Sequence, residues 1–257
     1  LLEGLPRECL LIINADCQNS ARALEMSRKP LQLITFGVKN PSDIMAEETL
    51  RLEPFGYRFR AVAREQEAWV ELRLFGRFQI YNALAALSVA MALGMDLATA
   101  ARALSDFQPA ALRTEILDLR GVRLIVDCYN SIPSATMESL ASLRDLSPAQ
   151  GKGRLVALLA DMAELGDFEE PLHRMVGERV VNMSLDLVVT VGERARTIHN
   201  VVNAAGLPCR HCATPVEAGQ YLAQTLRPND TVLVKGSRIM RLEEAVETLK
   251  RGLAAAV

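Results

Sequence analysis

The final strand-like segment of the chain ends in a turn whose groups are suited to binding anions. Residues 232–240 read Val-Leu-Val-Lys-Gly-Ser-Arg-Ile-Met, so an apolar run leads into Lys235, Gly236, Ser237 and Arg238. Two cations, a hydroxyl and the backbone N–H groups at the start of a predicted helix favour an anionic ligand. A Gly-Ser turn with flanking charges is also an ordinary way to leave a strand, so this motif needs support from elsewhere in the chain.

Two further apolar segments end in polar groups in the same way. One ends at Asp127 and continues into a polar turn, while the other exits into a loop that carries Asp161 and Glu164, with His173 on the following helix. Open α/β sheets bind nucleotides at the carboxyl ends of their strands, and parallel strands deliver those ends to one edge. We therefore expect Asp127, Asp161 and the Lys-Gly-Ser-Arg turn to converge at one edge of a sheet.

Each of these residues also has a purely structural interpretation. Asp127 suits a cap for the turn that follows it, and Asp161 and Glu164 suit loop solvation and helix capping. His173 can hydrogen-bond to the Asp161 loop instead of contacting a substrate, and we slightly favour that structural role.

The motifs together, in this order and spacing, resemble those of the Mur ligases, and among them the D-alanyl-D-alanine-adding type. The resemblance covers nearly all of the 257 residues. The matching segments are Asp-x-Tyr-Asn-x-x-Pro from Asp127, Asp-Met-x-Glu-Leu-Gly from Asp161, His-x-x-Val-Gly from His173, Val-Lys-Gly-Ser-Arg-x-Met from Val234 and, upstream, Ile13 to Asp16, Phe36-Gly37, Gly76-Arg77 and Asn82 to Ala86.

The resemblance implies an ATP-dependent amide ligation that builds a peptidoglycan precursor. In the family, ATP with Mg²⁺ phosphorylates a carboxylate, here that of a UDP-N-acetylmuramoyl-tripeptide. The amine of D-alanyl-D-alanine then attacks the acyl phosphate, and phosphate leaves. Phosphoryl transfer of this kind depends on positioning and charge stabilisation, and the resemblance places it between two domains. We expect a cytoplasmic, monomeric protein.

Three residues match positions that bind the nucleotide in the family. Asp127 corresponds to the residue that accepts hydrogen bonds from the ribose hydroxyls. Arg113 corresponds to an Arg near the hinge that reaches the ATP phosphates, although Leu112 stands where the family usually has Gly. Asn82 matches the second Asn of the family's His-Asn-x-x-Asn adenine motif, whose first two positions differ here.

The same resemblance assigns eight residues to substrate binding. They are Tyr129, Asn130, Asp161, Glu164, His173, Lys235, Ser237 and Arg238. Lys235 is expected to be a surface cation whose loss leaves the domain folded. The second Asn of the family's Tyr-Asn-Ala-Asn-Pro pattern is Ile132 here. No catalytic residue and no metal ligand of this chain is assigned.

Several parts that ATP use requires are not found in the sequence. Gly151-Lys152-Gly153 lacks the upstream Gly spacing and the following Ser or Thr of a phosphate-binding loop. The family's magnesium-binding Glu and His segment and its carbamylated Lys would precede Leu1. We therefore expect a fragment of a longer protein that does not hydrolyse ATP by itself.

Composition speaks against several other classes of protein. The chain is 50% hydrophobic and 23% charged with a net charge of −2, so it lacks a basic face for nucleic acid and can fill one large or two ordinary cores. No apolar stretch reaches the roughly 18 residues of a membrane-spanning helix. The five cysteines are odd in number, and Cys209-Arg210-His211-Cys212 lacks the second pair of a zinc site, so we expect reduced thiols and no metal.

We predict an α/β chain of two domains, 1–108 and 109–257. The first is the remainder of a central ATPase domain with antiparallel strands and helices, and the second is a Rossmann-like domain with a mainly parallel sheet covered by helices on both faces. Predicted strands lie at 10–14, 31–36, 57–63, 68–75, 114–119, 122–127, 154–160, 185–191, 208–212 and 231–235, and predicted helices include 80–93, 97–104 and a closing helix from Ile239.

Two other functions remain open at this stage. A non-catalytic, degenerate ligase-like module that binds nucleotide or a partner protein is favoured by Phe78, Gln79 and Ile132, which depart from the family's motifs. An unrelated doubly wound nucleotide-binding protein is the third interpretation. A native reading frame that continues upstream into a Gly-Lys-Thr loop would separate the first two.

Overall fold

The computed structural model describes residues 2–6, 9–26, 32–146 and 153–255, which divide into two compact units, Leu1–Gln108 and Pro109–Val257. Leu31 and the Gly151-Lys152 pair lie outside the described residues. Each unit has its own sheet and its own apolar core. Within the described ranges, no helix combines the length and the apolar character needed to cross a bilayer.

The first unit is built on a mixed sheet whose strands follow one another in chain order. They are β1 Leu10–Asn14, β2 Gln32–Gly37, β3 Ile44–Arg51, β4 Tyr57–Ala63 and β5 Gln66–Leu72. β1, β2 and β3 run parallel, whereas β3, β4 and β5 run antiparallel. The predicted pairing of the last two strands is confirmed. β3 has no counterpart in the sequence prediction, because its Glu47-Glu48-Thr49 run interrupts the apolar alternation that marks a strand.

Helices cover one face of this sheet. α2 spans Phe78–Ala92 and α3 spans Leu97–Ser105, close to the predicted 80–93 and 97–104, while α1, Gln18–Met26, was not predicted and buries no residue. Asp96 caps α3, since its carboxylate accepts a hydrogen bond from the Thr99 N–H at 2.9 Å. The apolar faces of α2 and α3 pack on the inner side chains of β3, β4 and β5 and form the core of the unit.

The second unit contains a six-stranded sheet of order β10-β9-β8-β11-β7-β6. Its strands are β6 Glu115–Leu119, β7 Val122–Asp127, β8 Leu155–Ala160, β9 Leu187–Val191, β10 Cys209–Cys212 and β11 Thr231–Lys235. All pairings are parallel except the β6–β7 hairpin. β8, β9 and β11 are buried along their whole length, which explains why they read as continuous apolar runs.

Two groups of helices flank the second sheet. They are α4 Pro133–Asp145, α5 Glu169–Val181 and α6 Arg196–Ala204 in one group, and α7 Pro215–Thr225 and α8 Glu243–Ala255 in the other. α7 and α8 pack on one face of the sheet, where residues such as Leu124, Leu158 and Val234 point. The strand residues that point to the opposite face, such as Leu233, are equally buried, because α4, α5 and α6 cover that face. The mainly parallel α/β prediction is therefore confirmed for this unit.

The closing helix begins later than its sequence suggests. A short 3₁₀ turn occupies Arg238–Met240, and Arg241 then adopts a left-handed conformation with φ of 50° before α8 starts at Glu243. The prediction of a helix from Ile239 is wrong for this reason, since a left-handed residue interrupts the helical hydrogen-bond ladder.

Candidate functional site

The carboxyl ends of three adjacent parallel strands meet at one edge of the second unit's sheet. β11 lies between β7 and β8, and Lys235 on β11 is the register partner of both Asp127 on β7 and Leu159 on β8. Asp161 follows β8 directly, so its loop emerges at the same edge. The predicted convergence of Asp127, Asp161 and the Lys-Gly-Ser-Arg turn is confirmed.

Lys235 and Asp127 form a buried ion pair at this edge. The Lys235 Nζ lies 2.6 Å from Oδ2 of Asp127, and its residue is only 3% exposed. Ser139 donates to the same carboxylate oxygen at 3.1 Å, and Lys235 also reaches the Asn130 carbonyl at 3.4 Å. The expectation that Lys235 is a surface cation is therefore wrong. Its side chain is buried at the strand ends, and its ammonium group forms an ion pair with Asp127.

Ser237 ties the three loops of the edge together. Its hydroxyl accepts a hydrogen bond from the Ala163 N–H at 2.8 Å and lies 3.3 Å from the Ser131 carbonyl, to which it donates. Its own N–H donates to the Asp161 carbonyl at 3.0 Å. Ser237 is buried, so its donor and acceptor capacity holds the loops after β7 and β8 in place.

Asp161 and His173 brace the loop that follows β8. The Asp161 carboxylate accepts a 2.7 Å hydrogen bond from the Ala195 N–H, which fixes the loop after β9. The His173 ring is fully buried; its Nδ1 donates to the Glu169 carbonyl at 2.7 Å, and its Nε2 accepts from the Met162 N–H at 3.0 Å. Both ring nitrogens are thus engaged within the protein, in line with the structural role favoured from the sequence.

Fewer of the predicted binding residues are exposed at this edge than the sequence indicated. Tyr129 is 48% exposed and Ile132 is 46% exposed, and Asn130 and Glu164 also face solvent. Glu164 has a φ of 62°, so it occupies a left-handed position of the loop. These four side chains and the neighbouring Arg side chains make up the accessible surface of the candidate site.

The two Arg side chains near Tyr129 differ in their partners. Arg238 forms an ion pair with Glu243, and burial alone would raise the pKa of the Glu243 carboxyl, but the Arg238 guanidinium lowers it. Arg113 instead lies over the Tyr129 ring, with its Cζ 4.1 Å from the ring centroid. The part of the chain that the structure describes places no carboxylate within ion-pair distance of Arg113.

The neighbouring Cys128 carries a buried thiol with a raised pKa. It is buried directly after β7, and burial, with further contributions from Glu243 and Asp127, raises the pKa of its thiol to about 12. A thiol that stays protonated at neutral pH is a poor nucleophile and a poor metal ligand. Within the described ranges, no three His, Cys, Asp or Glu side chains group as metal ligands.

The first unit contains an apolar cavity of about 250 Å³ beside Asn82. Asn82 donates from Nδ2 to Oε1 of Gln79 at 2.9 Å, so the two amides stand together at one side of the cavity. The remaining lining is apolar and comes from β5, α2 and α3: Leu72, Leu74, Ala83, Ala86, Leu104 and Phe107. The sequence indicated Asn82 alone, because the spacing of the other residues carries no chemical signal.

Comparison with known proteins matches both units. Residues 1–90 match the family model described as the Mur ligase middle domain, and residues 112–238 match the Mur ligase, glutamate ligase domain. The chain is 25% identical over 252 residues to the UDP-N-acetylmuramoyl-tripeptide–D-alanyl-D-alanine ligase of Bacillus subtilis, covering 97% of this chain and 53% of that protein. It is 26% identical to the enzyme of the same name from Haemophilus influenzae, with the same two coverages.

Solved structures show the same fold. A MurF structure from Acinetobacter baumannii superposes with a TM-score of 0.83 at 24% identity, covering 97% of this chain and 53% of that one. The MurF ligase from Thermotoga maritima, in complex with ADP, gives 0.80 at 22% identity, with 97% and 55% covered. The chain spans about half the length of these relatives. The matches rule out an unrelated nucleotide-binding protein: the chain belongs to the Mur ligase family, the ATP-dependent amide ligases of peptidoglycan biosynthesis, and has that family's middle and C-terminal domain folds.

Proposed function

We propose that the chain is part of a ligase that joins D-alanyl-D-alanine to a UDP-N-acetylmuramoyl-tripeptide through an acyl phosphate. The motif order supports this reaction, as does the similarity to D-alanyl-D-alanine ligases of that name from Bacillus subtilis and Haemophilus influenzae. In this proposal the 257 residues supply adenosine and acceptor contacts. ATP hydrolysis would depend on a Gly-Lys-Thr loop, which this sequence does not contain, and Mg²⁺ binding on the family's Glu and His segment, which the resemblance places before Leu1.

The fixed carboxylate of Asp127 is the observation that carries the proposal. Its Oδ2 is occupied by Lys235 and Ser139, so the carboxylate cannot rotate freely. Among the described residues no donor is seen on the second oxygen, Oδ1, and we assign this oxygen to a ribose hydroxyl. A carboxylate held by two donors is preorganised, so a ligand loses less entropy when it binds.

The cavity beside Asn82 is the proposed adenine site. Its apolar walls suit the faces of a purine, and the amides of Asn82 and Gln79 offer the polar contacts that fix a base in its plane. Phe78 and Gln79 differ from the family's adenine motif, but the cavity keeps one amide pair, which is sufficient to distinguish adenine from an apolar ring.

The proposed acceptor contacts are the exposed residues of the sheet edge. Asn130, Glu164 and Arg238 face solvent and can meet the amine and carboxylate of a dipeptide. Four of the other residues assigned from the sequence are buried, and we place them behind this surface as supports of its loops. They are Asp161, His173, Lys235 and Ser237.

Nucleotide binding by the 257-residue chain tests the proposal directly. ADP should bind more tightly than GDP, and Asn82→Leu should weaken ADP binding by about two- to tenfold, since it removes one hydrogen bond. Asn203→Leu, the same change on the exposed face of α6, should leave ADP binding unchanged. Equal binding of ADP and GDP, or equal effects of the two variants, would contradict the adenine site.

A degenerate, non-catalytic module is the second candidate function. The exposed Ile132 favours it, since an apolar side chain stands where the family carries an amide. Reading the native frame upstream of Leu1 separates the two candidates. A Gly-Lys-Thr loop there supports the ligase, and ligase activity of the longer protein would establish it; ADP binding without such a loop supports the module.

A further inference from the structure

Arg113 sits between two residues with unusual backbone conformations. Leu112 has a φ of 63° and Thr114 has a φ of 53°, and neither is a glycine. A left-handed β-branched residue is a genuine outlier, and such positions cost about 1–3 kcal/mol each. Strain of this size persists only where the surrounding structure fixes the segment, so the conformation of the Arg113 segment is determined by its contacts.

The contacts that hold this segment come from the end of β7. The Leu112 carbonyl accepts hydrogen bonds from the N–H groups of both Cys128 and Tyr129, at 3.0 and 3.1 Å. The Arg113 N–H donates in turn to the Ala110 carbonyl at 3.1 Å. The backbone that carries Arg113 is therefore clamped to the backbone that carries Tyr129, and their side chains start from a fixed relative position.

The side chains use that position to form a cation–π contact. The Arg113 Cζ lies 4.1 Å from the centroid of the Tyr129 ring, and both residues are exposed. A guanidinium held over an aromatic ring does not use its N–H groups on a carboxylate, so those donors stay available to a ligand. An ion pair such as that of Arg238 with Glu243 uses those donors instead.

We infer that Tyr129 is a positioning residue, which holds the Arg113 guanidinium at the sheet edge so that its N–H groups can bind the phosphates of a nucleotide. This inference rests on the proposed function and changes the role of Tyr129, which the sequence assigned to substrate contact. The ring acts through Arg113 and does not need to touch the substrate. A planar fork of donors matches phosphate oxygens in a bidentate manner, so its orientation affects affinity.

The test compares ADP with adenosine, which lacks phosphates, in equilibrium titrations of the 257-residue chain. Tyr129→Leu should weaken ADP binding by about two- to fivefold, which corresponds to the loss of one exposed cation–π contact. Adenosine binding should not change. Tyr129→Phe, which keeps the ring and removes the hydroxyl, should bind ADP as the wild type does, and Tyr129→Trp at least as tightly.

A double-mutant cycle separates positioning from a general structural effect. Arg113→Ala should weaken ADP binding more than Tyr129→Leu does, and adding Tyr129→Leu to Arg113→Ala should produce no further loss. Wild-type affinity of Tyr129→Leu for ADP, or equal losses for ADP and adenosine, would overturn the inference while leaving the nucleotide site intact. If the wild-type chain binds neither ligand, the proposed nucleotide site itself fails, and the inference fails with it.

Discussion

The Lys235 ammonium and the Asp127 carboxylate occupy paired positions of two neighbouring parallel strands, with Nζ and Oδ2 2.6 Å apart. The Lys235 side chain is 3% exposed and that of Asp127 is 13% exposed, so each charge is the partner that makes burial of the other tolerable. The pair joins the ends of β7 and β11 and fixes the carboxylate that we propose for ribose binding. One interaction thus supports both the fold of the second unit and its site.

Replacing Lys235 by Met should destabilise the second unit strongly. The change keeps the length of the side chain but leaves the buried Asp127 carboxylate without its cation, a situation that costs about 3–5 kcal/mol. Urea unfolding followed by far-UV circular dichroism measures the loss. The single tryptophan, Trp69, lies in the first unit, so its fluorescence transition should stay in place.

The matched control for this prediction removes both charges. In Asp127→Leu combined with Lys235→Met, no unpaired charge remains, and most of the lost stability should return. The double variant should still lose ADP affinity, because the proposed ribose acceptor is gone. Equal stability of the single variant and the wild type would show that the ion pair contributes little.

A glycine in the loop after β9 should be intolerant of a side chain. Gly192 has a φ of 103°, and a Cβ there would collide with the Asp161 carboxylate that binds the Ala195 N–H. Gly192→Ala should therefore cost more than the backbone strain alone, about 2 kcal/mol or more in the free energy of unfolding. Gly206→Ala is the control, since Gly206 also has a positive φ, 73°, but open space around it. Similar losses of stability in the two variants would argue against a role for the Asp161–Ala195 hydrogen bond in holding this loop.

Strand ends were predictable from the sequence, but the environment of their charges was not. Asp127 and Lys235 each end an apolar run, so their place at the carboxyl edge follows from the alternation of strands and helices. Their ion pair joins residues 108 positions apart, and no local pattern indicates it. The contact of His173 with the Asp161 loop was favoured from the sequence, but its two partners were not identified, because they are backbone groups of Met162 and Glu169, which every sequence provides.

Acid should destabilise the first unit through Asp16. Burial alone would raise the pKa of Asp16, but hydrogen bonds from the Val38, Asn40 and Lys39 N–H groups and from the Tyr81 hydroxyl hold it below its ordinary value. Because the pKa of Asp16 is lower in the folded than in the unfolded protein, its ionised carboxylate stabilises the fold. This stabilisation is complete above the pKa in the unfolded chain, about 3.9, and is lost as the pH falls through the pKa in the folded protein. The difference in unfolding free energy between the wild type and Asp16→Asn, followed by Trp69 fluorescence, should shrink as pH falls below about 4. A difference that does not vary with pH would contradict this linkage.

The second unit should fold when expressed alone as residues 110–257. Its apolar core is formed entirely by its own residues, and its strands have helices of the same unit to cover them. We expect a soluble domain with one cooperative thermal transition by circular dichroism. A product without such a transition would place the domain boundary elsewhere.

The 257-residue chain should bind nucleotide without turning it over. The sequence contains no Gly-x-x-x-x-Gly-Lys-Ser/Thr segment, so its backbone cannot cradle the β- and γ-phosphates during phosphoryl transfer. Phosphate release from ATP in the presence of Mg²⁺, the UDP-N-acetylmuramoyl-tripeptide and D-alanyl-D-alanine measures turnover, and it should stay at the level of a buffer control. A mock preparation from cells that do not express the chain is the second control, because it reveals contaminating ATPases that survive purification. Turnover that exceeds both controls would show that other residues of the chain replace the phosphate loop. Arg113→Ala would then be the first variant to examine, because we place the exposed Arg113 guanidinium at the phosphates.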